Sequence, residues 1–176
     1  MPRLRAVSAA AVNIRRARTT DVPAIRAIVD SYASDRILLA KDLVTLYEDV
    51  PDFRVATAGG DIVGCGAVHV MWEDIAEVRT LAVRPEHRGR GVGSALLAEL
   101  VRTAADLGVR RVACLTFEVD FFTRHDFTAA EDAGVAPEVF AQMVRSPDEG
   151  IAEFLDLERV RPNTLGNTRM VRFLEQ

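Results

Sequence analysis

The chain has 176 residues, 49% hydrophobic and 27% charged, which is enough apolar material for one core that needs no metal or disulfide staple. Lys plus Arg is 22 against 26 for Asp plus Glu, a net charge of −4 that argues against general nucleic-acid coating and leaves only local basic patches to consider. No apolar run approaches the roughly 20 residues that span a bilayer, and the opening stretch with Arg3, Arg5 and Ala9 to Ala11 lacks the apolar run of a signal peptide. A cytoplasmic protein is therefore expected, with a frayed arm over residues 1–12 and a single domain over residues 13–176.

A first strand is predicted over residues 12–17, followed by a helix with Thr20 as N-cap and Asp21 in its first turn. Ile25, Ile28, Val29 and Tyr32 recur at helical spacing and give that helix one buried face. Leu43, Leu46 and Tyr47 repeat the pattern in a second helix that ends near Pro51. Two β-rich runs, 53–58 and 61–70, meet at Gly59-Gly60, a two-residue hairpin signal. A strand over 75–83 leads through a glycine-rich segment into a helix over 91–107, whose polar stripe of Glu99, Arg102, Thr103 and Asp106 opposes Leu96, Leu97, Leu100, Val101 and Ala104. Gly108 ends it. A strand over 111–117, a short helix over 121–125, a less periodic tail and a last strand over 170–174 complete the order, which implies a mixed sheet with helices packed on it, an α/β (α+β) architecture. Cys65 and Cys114 sit in apolar strand-like runs with no CxxC or Cys/His spacing and read as reduced core residues.

The most informative segment is Arg88-Gly89-Arg90-Gly91-Val92-Gly93-Ser94, placed between a strand and a long amphipathic helix. Amides without intrahelical partners point outward at such a junction, the helix dipole favours an anion, and glycines let the backbone approach a phosphate closely. A Walker A loop is excluded because no Gly-Lys is followed by Ser or Thr. A GxGxxG dinucleotide fingerprint starting at Gly89 and Gly91 fails at Ser94, and the segment does not open an early βαβ unit. What remains is Arg-x-x-Gly-x-Gly, written by Arg88, Gly91 and Gly93 after Leu81-Ala82-Val83, with a plain strand-ending turn as the alternative.

This segment resembles the acyl-CoA motif of the Gcn5-related N-acetyltransferase (GNAT) superfamily, and the resemblance extends over roughly residues 13 to 130 through Ile14 to Ala17, Asp21 to Ile25, Gly60 to Gly66 and Phe121 to Phe127. It implies acetyl-CoA as co-substrate, with Leu81, Ala82 and Val83 offering backbone partners to the pantetheine arm and residues Arg88, Gly89, Arg90, Gly91, Val92, Gly93 and Ser94 holding the pyrophosphate. It further implies a sheet splayed between its fourth and fifth strands, near Leu81 and Leu115, and an acyl transfer that needs no metal.

Four strings in order, Ile37 to Lys41, Val63 to Ala67, Glu77 to Val83 and Phe121 to Phe127, resemble the amino-acid N-acetyltransferase group, specifically the acetyltransferase domain of N-acetylglutamate synthase. That resemblance implies a small-molecule acceptor, L-glutamate, acetylated at the first step of arginine biosynthesis. Lys41 matches the basic residue that binds a substrate carboxylate, and Arg79 with Thr80, Arg161 and Arg169 are further acceptor-side candidates. Glu77 occupies the strand-four position that commonly supplies the general base, on the same side as Arg79 and Leu81 by strict alternation; a carboxylate that only balances an arginine is the alternative, and Glu118 is the reserve base.

Two positions depart from the pattern. Phe122 stands where many members carry the tyrosine that protonates the thiolate, which leaves Thr116, Thr168 or water for that step. Asp126 replaces a glycine and is expected in the left-handed conformation. Nothing is long enough to be the amino-acid-kinase domain of full-length synthases, so arginine regulation is not carried over, and Gly166-Asn167-Thr168 stands where a family arginine is expected. Acetylation of another amine, such as a protein N-terminus, a polyamine or a xenobiotic, and a silent acyl-CoA-binding regulatory module are the competing readings. No nucleic-acid or membrane partner is expected, and the exposed strand edges suggest a homodimer.

Overall fold

The computed structural model describes residues 11–33, 41–160 and 166–175. Thirteen regular elements follow one another among these residues: β1 (Asn13–Arg16), α1 (Val22–Ala33), α2 (Leu43–Glu48), β2 (Phe53–Ala58), β3 (Asp61–Trp72), β4 (Ile75–Val83), α3 (Val92–Asp106), β5 (Arg111–Thr116), α4 (Val119–Thr123), β6 (Thr128–Ala129), α5 (Pro137–Met143), α6 (Glu149–Phe154) and β7 (Thr168–Phe173). The strands form one seven-stranded sheet in the order β1-β2-β3-β4-β5-β7-β6. All neighbours run antiparallel except β4 and β5, which are parallel and joined by α3. This is the mixed sheet that the element order implied.

Strand alternation divides the core between two faces. Val68, Ala76, Val78, Val112, Cys114 and Met170 point toward α3 and α4, where they meet Leu97, Leu100, Val101, Ala104 and Phe122. On the other face, Phe53, Val55, Cys65 and Ala67 meet α1 and α2 through Val22, Ile25, Ile28, Val29, Tyr32 and Leu46. Farther along that same face, Met71, Ile75, Ala113 and Val171 are covered by Met143, Ile151 and Phe154 of α5 and α6. Between these last two apolar layers β3 and β4 carry the polar pair His69 and Glu77, opposite each other in the register.

Several local expectations are corrected. Thr20 does not cap α1: a 3₁₀ turn at Thr19–Asp21 precedes the helix, and Asp21 folds back to take two bonds from Arg15, 2.7 and 2.9 Å, and one from the Arg18 amide at 2.7 Å. Arg15 thereby holds the buried Asp21 carboxyl below its ordinary value against the effect of burial. In α2 only Leu46 is buried, while Leu43 and Tyr47 are exposed, because six residues make a single turn and a half against α1. The tail after residue 128 is core-forming, with α5 and α6 supplying an apolar layer. Asp126 does adopt the left-handed conformation, with φ +67°. Both cysteines are buried and free, and burial pushes the Cys65 thiol up to about 12.

Candidate active site

The parallel pairing of β4 with β5 covers only Ile75 with Arg111, Ala76 with Val112 and Glu77 with Ala113. Beyond these three pairs β5 continues alongside β7, through Thr116 opposite Thr168, while β4 bends away. The bend has a local cause. Thr80 has φ +57°, and the β3–β4 register slips between Cys65 and Ala67, which is a β-bulge. The bulge also resets the alternation, so Leu81 packs toward Val78 and α3 and not with Glu77 and Arg79 as strict alternation predicts. The splay opens a cavity of about 530 Å³, walled by β4 from Val78 to Val83, by Cys114 to Glu118, and by Phe121 and Phe122.

At its outer end the cavity meets the glycine-rich turn. Gly89 and Gly91 have φ +72° and +81°, and open space surrounds the position of a Cβ at either, so the turn stays concave. The first bond of α3 runs from the Ala95 amide to the Gly91 carbonyl, 3.0 Å, which leaves the amides of Val92, Gly93 and Ser94 without helical acceptors at the positive end of the dipole. Arg88 stands beside them, its guanidinium 4.8 Å over the Tyr32 ring and its Nε donating to the Tyr32 hydroxyl at 2.9 Å. That hydroxyl in turn donates to the Val83 carbonyl. Residues 81–83, 88, 89 and 91–94 all line the cavity; Arg90 is exposed and is not part of the wall. Gly91→Ala should cost roughly 1–2 kcal/mol of stability through the left-handed backbone and should weaken CoA binding in calorimetric titration. Unchanged binding would separate the turn from phosphate recognition.

Arg79 at the inner end of the cavity belongs to a chain of charges whose other members, Glu77, Asp148, His69 and Asp52, are not among the cavity-lining residues. The Glu77 side chain is only 5% exposed, and Arg79 donates to its Oε2 from Nε at 3.0 Å and from Nη2 at 2.7 Å. Arg79 also grips Asp148 with Nη1 to Oδ2 at 2.9 Å and Nη2 to Oδ1 at 3.0 Å. His69, opposite Glu77 in the register, holds Asp52 through Nδ1 at 2.8 Å and places Nε2 4.0 Å from Asp148. Burial raises the Glu77 carboxyl above the ordinary carboxylate range, with Arg79 opposing. Burial also works to raise Asp148, but the Arg79 bonds prevail and hold it at about 2. Arg79 is raised, its two carboxylates outweighing desolvation. Sequence reading found Glu77 and Arg79 but missed Asp148, His69 and Tyr32; the N-cap pattern of Asp148 before α6 was visible, whereas its partner 69 residues away was not.

Glu153, on α6, is pushed up to about 7 by burial, with Glu77 and Glu149 adding to the effect. The folded protein keeps a proton there that the unfolded chain releases at the ordinary carboxylate value, so this group lowers stability as pH climbs from that value to about 7. Glu153→Gln should therefore raise Tm at mildly alkaline pH and change it little in acid. An equal change at both would show that Glu153 does not titrate with folding.

The other candidates are placed as follows. Lys41 pairs with Asp49 at 3.2 Å and is not among the cavity-lining residues, whereas Arg79 and Thr80 are. Arg169 spends its guanidinium on the carbonyls of Phe154 (3.0 Å) and Glu131 (3.1 Å), stitching β7 to α6, so it is not free for a substrate. Arg161 and residues 37–40 lie outside the described residues. Glu118 is exposed at the cavity rim. Thr116 is buried in the wall, its Oγ1 accepting the Glu118 amide at 2.8 Å, which leaves its own proton to donate. Phe122 is buried against Phe127, and Phe121 reaches the turn, its ring 3.6 Å from where a Cβ on Gly93 would lie.

The sequence profile of the acetyltransferase (GNAT) family matches residues 23–127, which include the bulged strand, the turn and the splay. The chain belongs to the GNAT acetyltransferase family. Among its relatives is an amino-acid acetyltransferase of Mycobacterium tuberculosis strain H37Rv, 54% identical over 164 residues that cover 92% of this chain and 94% of that protein. The crystal structure of Rv2747 from Mycobacterium tuberculosis in complex with CoA and NLQ has a TM-score of 0.90 at 54% identity and covers 93% of this GNAT chain and 99% of that one. The N-acetylglutamate synthase of Neisseria gonorrhoeae, complexed with coenzyme A and N-acetyl-glutamate, shares the fold with a TM-score of 0.77 at 24% identity, this chain spanning 36% of that longer one. As a GNAT member the protein is an acyltransferase. No described helix is long and apolar enough to cross a membrane.

Proposed function

We propose that this enzyme transfers the acetyl group of acetyl-CoA to the α-amino group of an amino acid, with L-glutamate as the first acceptor, the reaction that opens arginine biosynthesis. The observation that carries the reading is one cavity that runs from a concave amide turn to Arg79, whose guanidinium is bonded to the buried carboxylate of Glu77. Acetyl-CoA lies with its pyrophosphate on the amides of Val92 to Ser94 beside Arg88 and its pantetheine arm along the open edge of Leu81 to Val83. That the Mycobacterium tuberculosis and Neisseria gonorrhoeae proteins are complexed with CoA supports acetyl-CoA as the co-substrate. The residues present suit it: a concave amide nest, an arginine, and an unpaired strand edge.

The acceptor amine enters on the face that holds Glu77. Both Arg79 bonds end on Oε2, so Oε1 accepts no hydrogen bond from a described residue and keeps its lone pairs for the amine proton. The amine nitrogen bonds to the thioester carbonyl carbon, the C–S bond breaks, Glu77 takes the proton, and the CoA thiolate leaves. Thr116 is a wall hydroxyl that relays a proton from water to that sulfur, taking one as it gives one, in place of the missing tyrosine.

One observation favours a second acceptor. Arg79 already serves two carboxylates and Lys41 serves Asp49, which suits an amino acid with an uncharged side chain, such as glutamine, better than a second carboxylate. A thiol-release assay with each of the twenty amino acids and with a panel of polyamines, peptides and xenobiotic amines tests both readings. Release with glutamate or glutamine supports amino-acid acetylation. Release only with polyamines, peptides or xenobiotic amines moves the enzyme to another acceptor class, and CoA binding without release from any amine makes it a regulatory module.

A further inference from the structure

Arg79 uses its whole guanidinium in this structure. Its Nε and Nη2 edge meets a single oxygen of Glu77, while Nη1 and Nη2 form a two-pronged grip on Asp148. Asp148 is itself fixed: as N-cap of α6 its Oδ1 accepts the Ile151 amide at 2.8 Å, and its own amide donates to Ser146 Oγ at 3.2 Å. The next turn position is Gly150, and the guanidinium lies flat against it. A Cβ there would stand 2.6 Å from Arg79 Nη2, 2.8 Å from Cζ and 3.1 Å from Nη1, far inside contact distance.

We propose that Asp148 is a positioning residue for Glu77, acting through Arg79, and that Gly150 is the space that permits the arrangement. It rests on the reading of Glu77 as the base for acetyl transfer. The physical reason lies in the geometry of arginine forks. A guanidinium with one carboxylate partner settles on both of its oxygens, and on Glu77 that would occupy Oε1, the oxygen left for the amine. The Asp148 grip turns Arg79 so that it balances the buried Glu77 charge through Oε2 alone. Among the described residues the other charged and titratable groups around the pair are His69 on β3 with Asp52 behind it, Glu149 and Glu153 on α6, and Cys114 on β5, whose buried thiol is raised further by Glu77.

Two variants carry opposite signs. Asp148→Asn keeps an oxygen for the Ile151 amide but removes an anion that faces Glu77 and frees Arg79 to close on it. Its kcat should fall about tenfold, with KM for acetyl-CoA unchanged and the acid limb of the pH–rate profile displaced to lower pH. Gly150→Ala keeps every charge but pushes the guanidinium off Glu77, so kcat should again fall about tenfold while the acid limb moves to higher pH. Either displacement with its stated sign supports the proposal. Variants that keep the wild-type limb overturn it, whether they are fully active or merely less stable. Glu77→Gln, measured alongside, separates the two ideas: if it keeps full activity the base reading fails, and if it is inactive while both other variants keep the wild-type kcat and pH profile, only the positioning role of Asp148 fails.

Discussion

Glu77→Gln should lower kcat by roughly two to four orders of magnitude and leave CoA binding intact. Glutamine has nearly the same shape and still offers an oxygen to Arg79, so the ion-pair site stays filled, but it has no lone pair basic enough to take a proton from an amine. The wild-type enzyme should also lose activity in acid at a pH above the ordinary carboxylate range, because burial raises the Glu77 carboxyl and only its ionised form acts as base. The sign is definite: activity is full above that raised value and declines as pH falls through it. Stopped-flow or steady-state thiol release across pH measures both effects. A glutamine variant with wild-type kcat would remove Glu77 from the chemistry and leave it as the counter-charge of Arg79.

Phe154→Ala should cost about 3–5 kcal/mol of stability, the usual range for emptying a phenylalanine site in a packed core. At roughly 2–4 °C per kcal/mol for a chain of this size, Tm should drop by about 10 °C. Phe154 is fully buried, between the sheet residues Ile75, Ala113 and Val171 and the helices α5 and α6, and the carbonyl of the same residue holds Arg169. Because α6 also presents Asp148 and Gly150 to Arg79, loosening this layer should lower activity along with stability. A drop of only a degree or two in calorimetry would mean that the C-terminal layer melts apart from the rest of the sheet.

Much of the first half of the chain was legible before any tertiary contact was known. The helical recurrence of Ile25, Ile28, Val29 and Tyr32 specifies one buried face, and those four residues are the ones that α1 buries. Gly59-Gly60 marked the β2–β3 turn because both positions need positive φ, +60° and +91°. The strand, glycine turn and amphipathic helix around residues 81–107 were legible because what they require is local: free amides, left-handed glycines and a dipole are all properties of contiguous chain. Periodicity failed where elements are short. The stretch after residue 128 is built from helices of seven and six residues, too brief to establish a period, and their burial depends on β5 and β7 arriving from elsewhere.

The acceptor side divides in the same way. Glu77 and Arg79 were found through the resemblance of strand four to the amino-acid N-acetyltransferase group, and their spacing of two put them on one side of the strand. Strict alternation put Leu81 on their side, and it went astray because a single left-handed residue, Thr80, resets the phase through a bulge that no spacing rule revealed. Lys41 reads as a substrate anchor from the resemblance and Arg169 from its charge, and each proves to be engaged within the protein, by Asp49 and by two backbone carbonyls. A charge in sequence has no partner until folding supplies one.

By itself the sequence determined the glycine turn before α3, the buried face of each long helix and the acetyltransferase family, since these depend on neighbours along the chain. Only the tertiary structure decided how far β4 and β5 stay paired, which charges are already engaged within the protein, and that Asp148 at the head of α6 meets Arg79. Those outcomes depend on groups up to 69 residues apart being brought within about 3 Å, where desolvation makes each partner matter.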